Sequence, residues 1–204
     1  MVQSGAYPVS FTVDYPEREL NRLTTAFRII LVLPVLALLA IGFGRVGPNH
    51  AVFAGFALLF LPVVLLMLFR HKYPRWWFDF NLELLRFQTR VTTYLHLLRD
   101  EYPSTDEQQA VHLDIPYPDA ENDLNRWLPL VKWLLAVPHL IVLVFLNLAA
   151  VVVAVIAWFA ILFTGRYPRG LFDFVVGVMR WNLRVTAYGF MLTTDRYPPF
   201  SLQP

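Results

Sequence analysis

Apolar and polar positions follow three different patterns along this chain. Within Tyr7–Tyr15 the apolar Val9, Phe11 and Val13 alternate with Ser10, Thr12 and Asp14. A period of two predicts a short half-buried strand, and Tyr15-Pro16 closes it because proline cannot continue a ladder. Val111, Leu113 and Ile115 alternate with His112 and Asp114 in the same way, and Pro116-Tyr117-Pro118 closes that second strand.

The second pattern is a run with no period. Residues 24–43, 51–69, 128–147 and 148–164 are almost wholly apolar, interrupted by charge only at Arg28 and Lys132. About 20 helical residues cross a hydrocarbon core of roughly 30 Å, so the four segments are read as membrane spans. The cluster Gly42, Gly44, Gly47, Pro48 breaks the first pair into a hairpin. In the second pair, Trp133–Phe163 is a single uncharged run of 31 residues. One helix over it would be roughly 46 Å long, beyond a core of about 30 Å, so a turn near Asn147 is predicted. With two spans there, 16 of the 17 Lys and Arg fall on one face and only Arg45 lies across. The positive-inside rule then makes that face, and both termini, cytoplasmic.

The third pattern is amphipathic. Asp79, Glu83, Arg86, Arg90 and Thr93 recur at spacings of four, three, four and three, one stripe of a helix. Spanning with such charges costs about 2.5–3.5 kcal/mol each at the bilayer centre. Residues 75–98, and likewise 169–193, are therefore predicted to lie flat in the membrane interface.

The patterns occur twice. Lys72-Tyr73-Pro74-Arg75 returns as Arg166-Tyr167-Pro168-Arg169, Phe78-Asp79-Phe80 as Phe172-Asp173-Phe174, and Leu20-Asn21-Arg22 as Leu124-Asn125-Arg126. Arg86, Arg90, Val91, Thr92 and Tyr94 return as Arg180, Arg184, Val185, Thr186 and Tyr188, and Pro34 matches Pro138. The expected fold is an all-α integral membrane protein with a small cytoplasmic strand pair. Its repeats are 1–104 and 105–204, each a two-span hairpin plus an interfacial helix.

Composition agrees with a bilayer as solvent. The chain is 57% hydrophobic and 16% charged, against roughly 25% charged in a soluble domain. It has no cysteine, which excludes disulfides and thiolate chemistry, and a net charge of only +2 gives little reason to expect nucleic acid.

The string GRYPRGLFDFVVGVMRWNLRVTAYGFMLTTDRYPPFSL, with NRWLPLVKWLLAVPH before it, resembles a bacterial membrane-protein family catalogued as domain of unknown function 4389. The resemblance extends over the chain once per half, as two tandem copies, and is closer in the second. It departs in the first half at Trp76-Trp77 and Asn81–Leu85. It implies a bacterial plasma-membrane location and brings no activity, cofactor or catalytic residue with it.

Candidate chemistry is sparse. Arg86 with Arg90, and Arg180 with Arg184, are spaced i, i+4, so each pair shares a helix face. With Arg75 and Arg169 they are the candidates for binding anionic lipid or an acidic partner, against the alternative that they only snorkel to water. Asp79 and Asp173 are expected in the first turns of their helices as structural partners of the dipole or of arginine. Pro34 and Pro138 are read as kinks, and His139 as a neutral histidine bonded to a main-chain carbonyl. The histidines show no metal-ligand spacing, and no cofactor or nucleotide motif occurs. The expected role is a non-enzymatic membrane scaffold or accessory subunit that binds anionic lipid, a membrane complex or its own copies. A small transporter or oligomeric channel is the alternative, and an interfacial lipid-modifying enzyme using Asp79 or Asp173 is the third.

Overall fold

A computed structural model describes residues 7–42, 51–105, 107 and 109–204, with side chains omitted for 38–42 and 51–60. The elements in order are β1 (Ser10–Val13), α1 (Arg22–Ala26), α2 (Arg28–Gly42), α3 (Ala51–Arg70), α4 (Arg75–Leu95), β2 (Val111–Asp114), α5 (Pro129–Thr164) and α6 (Arg169–Gly189). The two alternating segments pair with each other, antiparallel, with Phe11 opposite Leu113 and Val13 opposite Val111. Phe11, Val13, Leu113 and Ile115 face inward, and Ser10, Thr12, His112 and Asp114 face out.

The elements stack in three layers. Helix α6 packs on α5 on one side and β1 on the other, while α4 packs on α2 and on β2. The apolar helices α2, α3 and α5 form one outer layer, α4 and α6 the middle, and the sheet the opposite outer layer. Helix α6 runs antiparallel to α5. Asn182 meets Asn147 near the middle of α5, and Gly189 lies against Ala136 near its start.

The predicted turn near Asn147 does not form. Helix α5 is continuous over 36 residues, with Pro138 inside it, so the spans 128–147 and 148–164 are one helix. Nothing between His139 and Thr164 is glycine or proline. Asn147 costs a helix well under about 1 kcal/mol, and its amide pairs reciprocally with that of Asn182 at 3.0 and 3.2 Å. A turn there would instead strip several main-chain bonds in apolar surroundings. The helix ends at Gly165, φ 74°, whose N–H donates to Ile161 O at 2.7 Å. Glycine takes this left-handed position without a Cβ penalty. Among the described residues α5 is the one helix long and apolar enough to cross a membrane.

The turn expected at Gly44–Pro48 lies outside the described residues, but the ends of the first pair are described. The start is held to the end of α5, by Leu20 N–H on Gly165 O at 2.9 Å and Trp158 Nε1 on Thr25 O at 3.1 Å. The end of α3 is held before the start of α5, by Arg126 on the carbonyls of Leu68 and Phe69. The two ends therefore sit at opposite ends of α5, not side by side as an out-and-back hairpin requires. Pro34 is carried inside α2.

Candidate functional site

Helices form at both predicted amphipathic segments, as α4 and α6; Arg86 and Arg180 reach across to the other half, while Arg90 and Arg184 bond within their own. Arg86 Nε donates to Leu113 O at 3.0 Å and Arg180 Nε to Phe11 O at 3.2 Å. Arg90 donates to Ser104 O at 2.8 Å, and Arg184 to Ser201 O at 3.2 Å and Gln203 O at 2.8 Å. Arg184 is 2% exposed. Burial lowers the pKa of both Arg180 and Arg184, and for Arg184 the neighbouring Arg180 adds to the effect. Four of the six predicted binding arginines thus spend donors on main-chain carbonyls. The sequence could not reveal this, because a main-chain carbonyl acceptor has no side-chain signature.

Other contacts recur at matching positions. Arg28 pairs with Asp100 and lies over the Tyr94 ring; Lys132 pairs with Asp195 at 2.7 Å and lies over the Tyr188 ring. Asn21 N–H donates to Asp100 at 2.7 Å and Asn125 N–H to Asp195 at 2.5 Å. Tyr15 Oη donates to Tyr167 O at 2.5 Å, and Tyr117 Oη to Tyr73 O. Leu97 and Leu192, just past α4 and α6, both take left-handed φ, 64° and 58°.

Asp79 and Asp173 lie one turn further in than expected, at the fifth helical position. Asp79 stands 4.0 Å from Arg75 with both side chains largely exposed, an arrangement worth little. Asp173 is exposed and forms no ion pair among the described residues. His139 is fully buried and accepts from Trp181 Nε1 at 3.0 Å, with Phe200 stacked at 3.9 Å. An indole thus replaces the expected carbonyl partner.

Two hollows accompany this framework. One, about 360 Å³, lies between α4, α5 and α6, with Gln88, Thr92, His96, Asn147 and Asn182 set among apolar residues. The other, also about 360 Å³, lies where β1's exit meets the α5–α6 turn and is lined by Tyr15, Glu17, Arg18, Arg166, Tyr167 and Arg169. Arg169 lies 4.8 Å over the Tyr15 ring. Its counterpart Arg75 lies 5.4 Å over Tyr117. There the neighbouring loop is acidic, with Asp119, Glu121 and Asp123. Arg18 carries no motif, and only the fold brings it to Arg166 and Arg169.

Residues 127–201 match the family model described as Domain of unknown function (DUF4389). The DUF4389 segment is α5, α6 and most of the tail after them, so the closer of the two expected copies is the one matched. No curated protein and no solved structure matches the chain.

Proposed function

We propose that the chain is a membrane-embedded, non-enzymatic scaffold or accessory subunit. Its outer helical layer lies along one leaflet, and its polar layers meet anionic lipid or a partner complex. One observation carries the reading: the change from apolar to polar runs across α5, not along it. Apart from the stripe under α6, α5 exposes apolar side chains around its circumference, among them Ile141, Phe145, Val152 and Phe163. Such a surface needs lipid or protein against it. Alongside its centre lie Asn182, Arg180 and Arg184, and beyond them β1, followed directly by exposed Asp14.

If α5 stood upright, those charges would sit near the bilayer midplane, at about 2.5–3.5 kcal/mol each on insertion scales. Laid along the membrane, α5 keeps its apolar sides in acyl chains and the charges in water. Its length of roughly 54 Å, too great for a core of about 30 Å, then needs no explanation by tilt. Exposed Ile29, Ile30, Leu33, Leu61 and Phe69 on α2 and α3 extend the same apolar face. The basic residues gathered on the wet side favour the cytoplasmic face of a bacterial plasma membrane.

The matched contacts support reading 1–104 and 105–204 as diverged copies of one unit, the first being a distant DUF4389 relative. The carbonyl-bound arginines serve in this reading as cross-ties, and lipid or partner contact falls to the groups left outside.

Gentle solubilisation followed by analysis of co-purified lipid and protein tests the role. Selective recovery of an anionic lipid or of a defined partner is expected. A bare chain with neither contradicts it. Ion flux through reconstituted chain would favour a channel, and turnover abolished by Asp79→Asn or Asp173→Asn an enzyme.

A further inference from the structure

We propose that the hollow at the start of α6 is a binding site for a phosphate-bearing anion, with Arg18, Arg166 and Arg169 as its ligands. The inference rests on the membrane reading only for the source of the anion. Most of the other described arginines are committed: Arg28 and Arg99 to carboxylates, Arg86, Arg90, Arg126, Arg180 and Arg184 to main-chain carbonyls. The three around this hollow form no ion pair and no side-chain hydrogen bond among the described residues; Arg169 has only its contact with the Tyr15 ring. One carboxylate, Glu17, lines the hollow with them, and Glu19 stands nearby against Gly165. Glu101 also acts on Arg18 but is itself paired with Arg99. Three guanidinium groups against Glu17 and Glu19 leave the hollow net positive, and the planar guanidinium fork suits phosphate oxygens.

The main chain adds to this charge. Helix α6 starts here behind Pro168, which offers no capping side chain, so the positive end of the helix is uncapped by protein.

The hollow lies at the rim of the apolar layer. Phe163, 79% exposed, is two residues before Gly165, and Gly165 O accepts from Leu20 N–H in the hollow's wall. An anion held here has hydrocarbon-facing surface within one helical turn. The shared chemistry is a phosphate group, borne by a lipid headgroup or by a soluble molecule.

The test uses the full chain in neutral detergent, exchanged against phosphatidic acid and phosphatidylcholine, with inorganic phosphate as competitor. Phosphatidic acid should be retained about tenfold or more over phosphatidylcholine. The Arg18→Gln/Arg166→Gln/Arg169→Gln variant should lose that preference. A variant of equal charge loss at other exposed sites, Arg22→Gln/Arg70→Gln/Lys72→Gln, should keep it. Displacement of the lipid by phosphate at comparable concentration assigns the site to a soluble anion; resistance assigns it to the headgroup. If both variants lose preference equally, or the wild type shows none for lipid and none for phosphate, the site is overturned. Association of every variant with phosphatidylcholine vesicles is scored separately. Loss there would contradict the membrane reading and leave phosphate binding in detergent as its own result.

Discussion

Phe11 and Leu113 face each other across the β1–β2 ladder, and each gives its carbonyl to an arginine from the other half of the chain. The smallest sheet possible is thereby fastened to both middle-layer helices. A two-stranded sheet is marginal by itself, so these charge-assisted bonds at the sheet's back supply what further strands would.

Arg86→Met and Arg180→Met should each lower stability by about 1.5–3 kcal/mol, the usual range for a hydrogen bond to a charged group. Arg75→Met, at a largely exposed side chain, should change it by less than about 0.5 kcal/mol. Denaturation of the chain in detergent, followed by tryptophan fluorescence, reads the contrast. Equal effects at all three positions would mean the carbonyl contacts carry no weight.

Lys132 is 1% exposed and depends on Asp195 and the Thr194 carbonyl. Asp195→Ala leaves the ammonium without its counter-charge and should cost about 3 kcal/mol, the lower end for breaking a buried pair because Asp195 is partly exposed. Lys132→Met with Asp195→Leu removes both charges and should recover most of that loss. The same denaturation measurement on the single and double variants decides whether coupling exists.

Residues 201–204 are strapped to α6 by Arg184 and by close packing at Gly177. A Cβ added at Gly177 would come within 2.9 Å of Leu202 Cβ and 3.0 Å of its carbonyl oxygen. Gly177→Ala should therefore release the tail and raise its cleavage by carboxypeptidase several-fold. Gly189→Ala, where the nearest contact is an ordinary 3.5 Å, should leave cleavage unchanged.

His96, at the end of α4, donates from its ring to Thr92 O at 2.9 Å, and burial pushes its pKa below the ordinary value. The sign follows from the unfolded chain holding the proton more tightly. Stability from neutral His96 is complete above its unfolded pKa of about 6.5 and is lost as pH falls through the folded value. His96→Gln should flatten the stability profile on the acid side of that point. An unchanged slope would place the pH dependence elsewhere.

Much of this fold was legible in the residues. The alternation at Val9–Val13 and Val111–Ile115 marks both strands, and the stripe Asp79–Thr93 marks α4. The doubled Tyr-Pro-Arg segments anticipate the paired contacts of Tyr15 with Tyr167 and Tyr117 with Tyr73. The path of α5 was not legible. Length alone suggested a turn, but a helix is excluded by bilayer thickness only if it stands upright, and periodicity says nothing about which neighbour covers it. The place of Arg18 beside Arg166 and Arg169 was equally hidden, since Arg18 stands 148 positions before Arg166 and falls in no pattern.

The orientation of α5 is the account's central claim, and the chain suits its measurement because it has no native cysteine. Single cysteines at Val137, Val144, Val151 and Phe159, all exposed along α5, can carry a spin label in lipid bilayers for depth determination by paramagnetic relaxation. Similar depths at the four sites, all within one leaflet, are expected. A profile that is shallow at Val137, deepest between Val144 and Val151 and shallow again at Phe159 on the far side would contradict it.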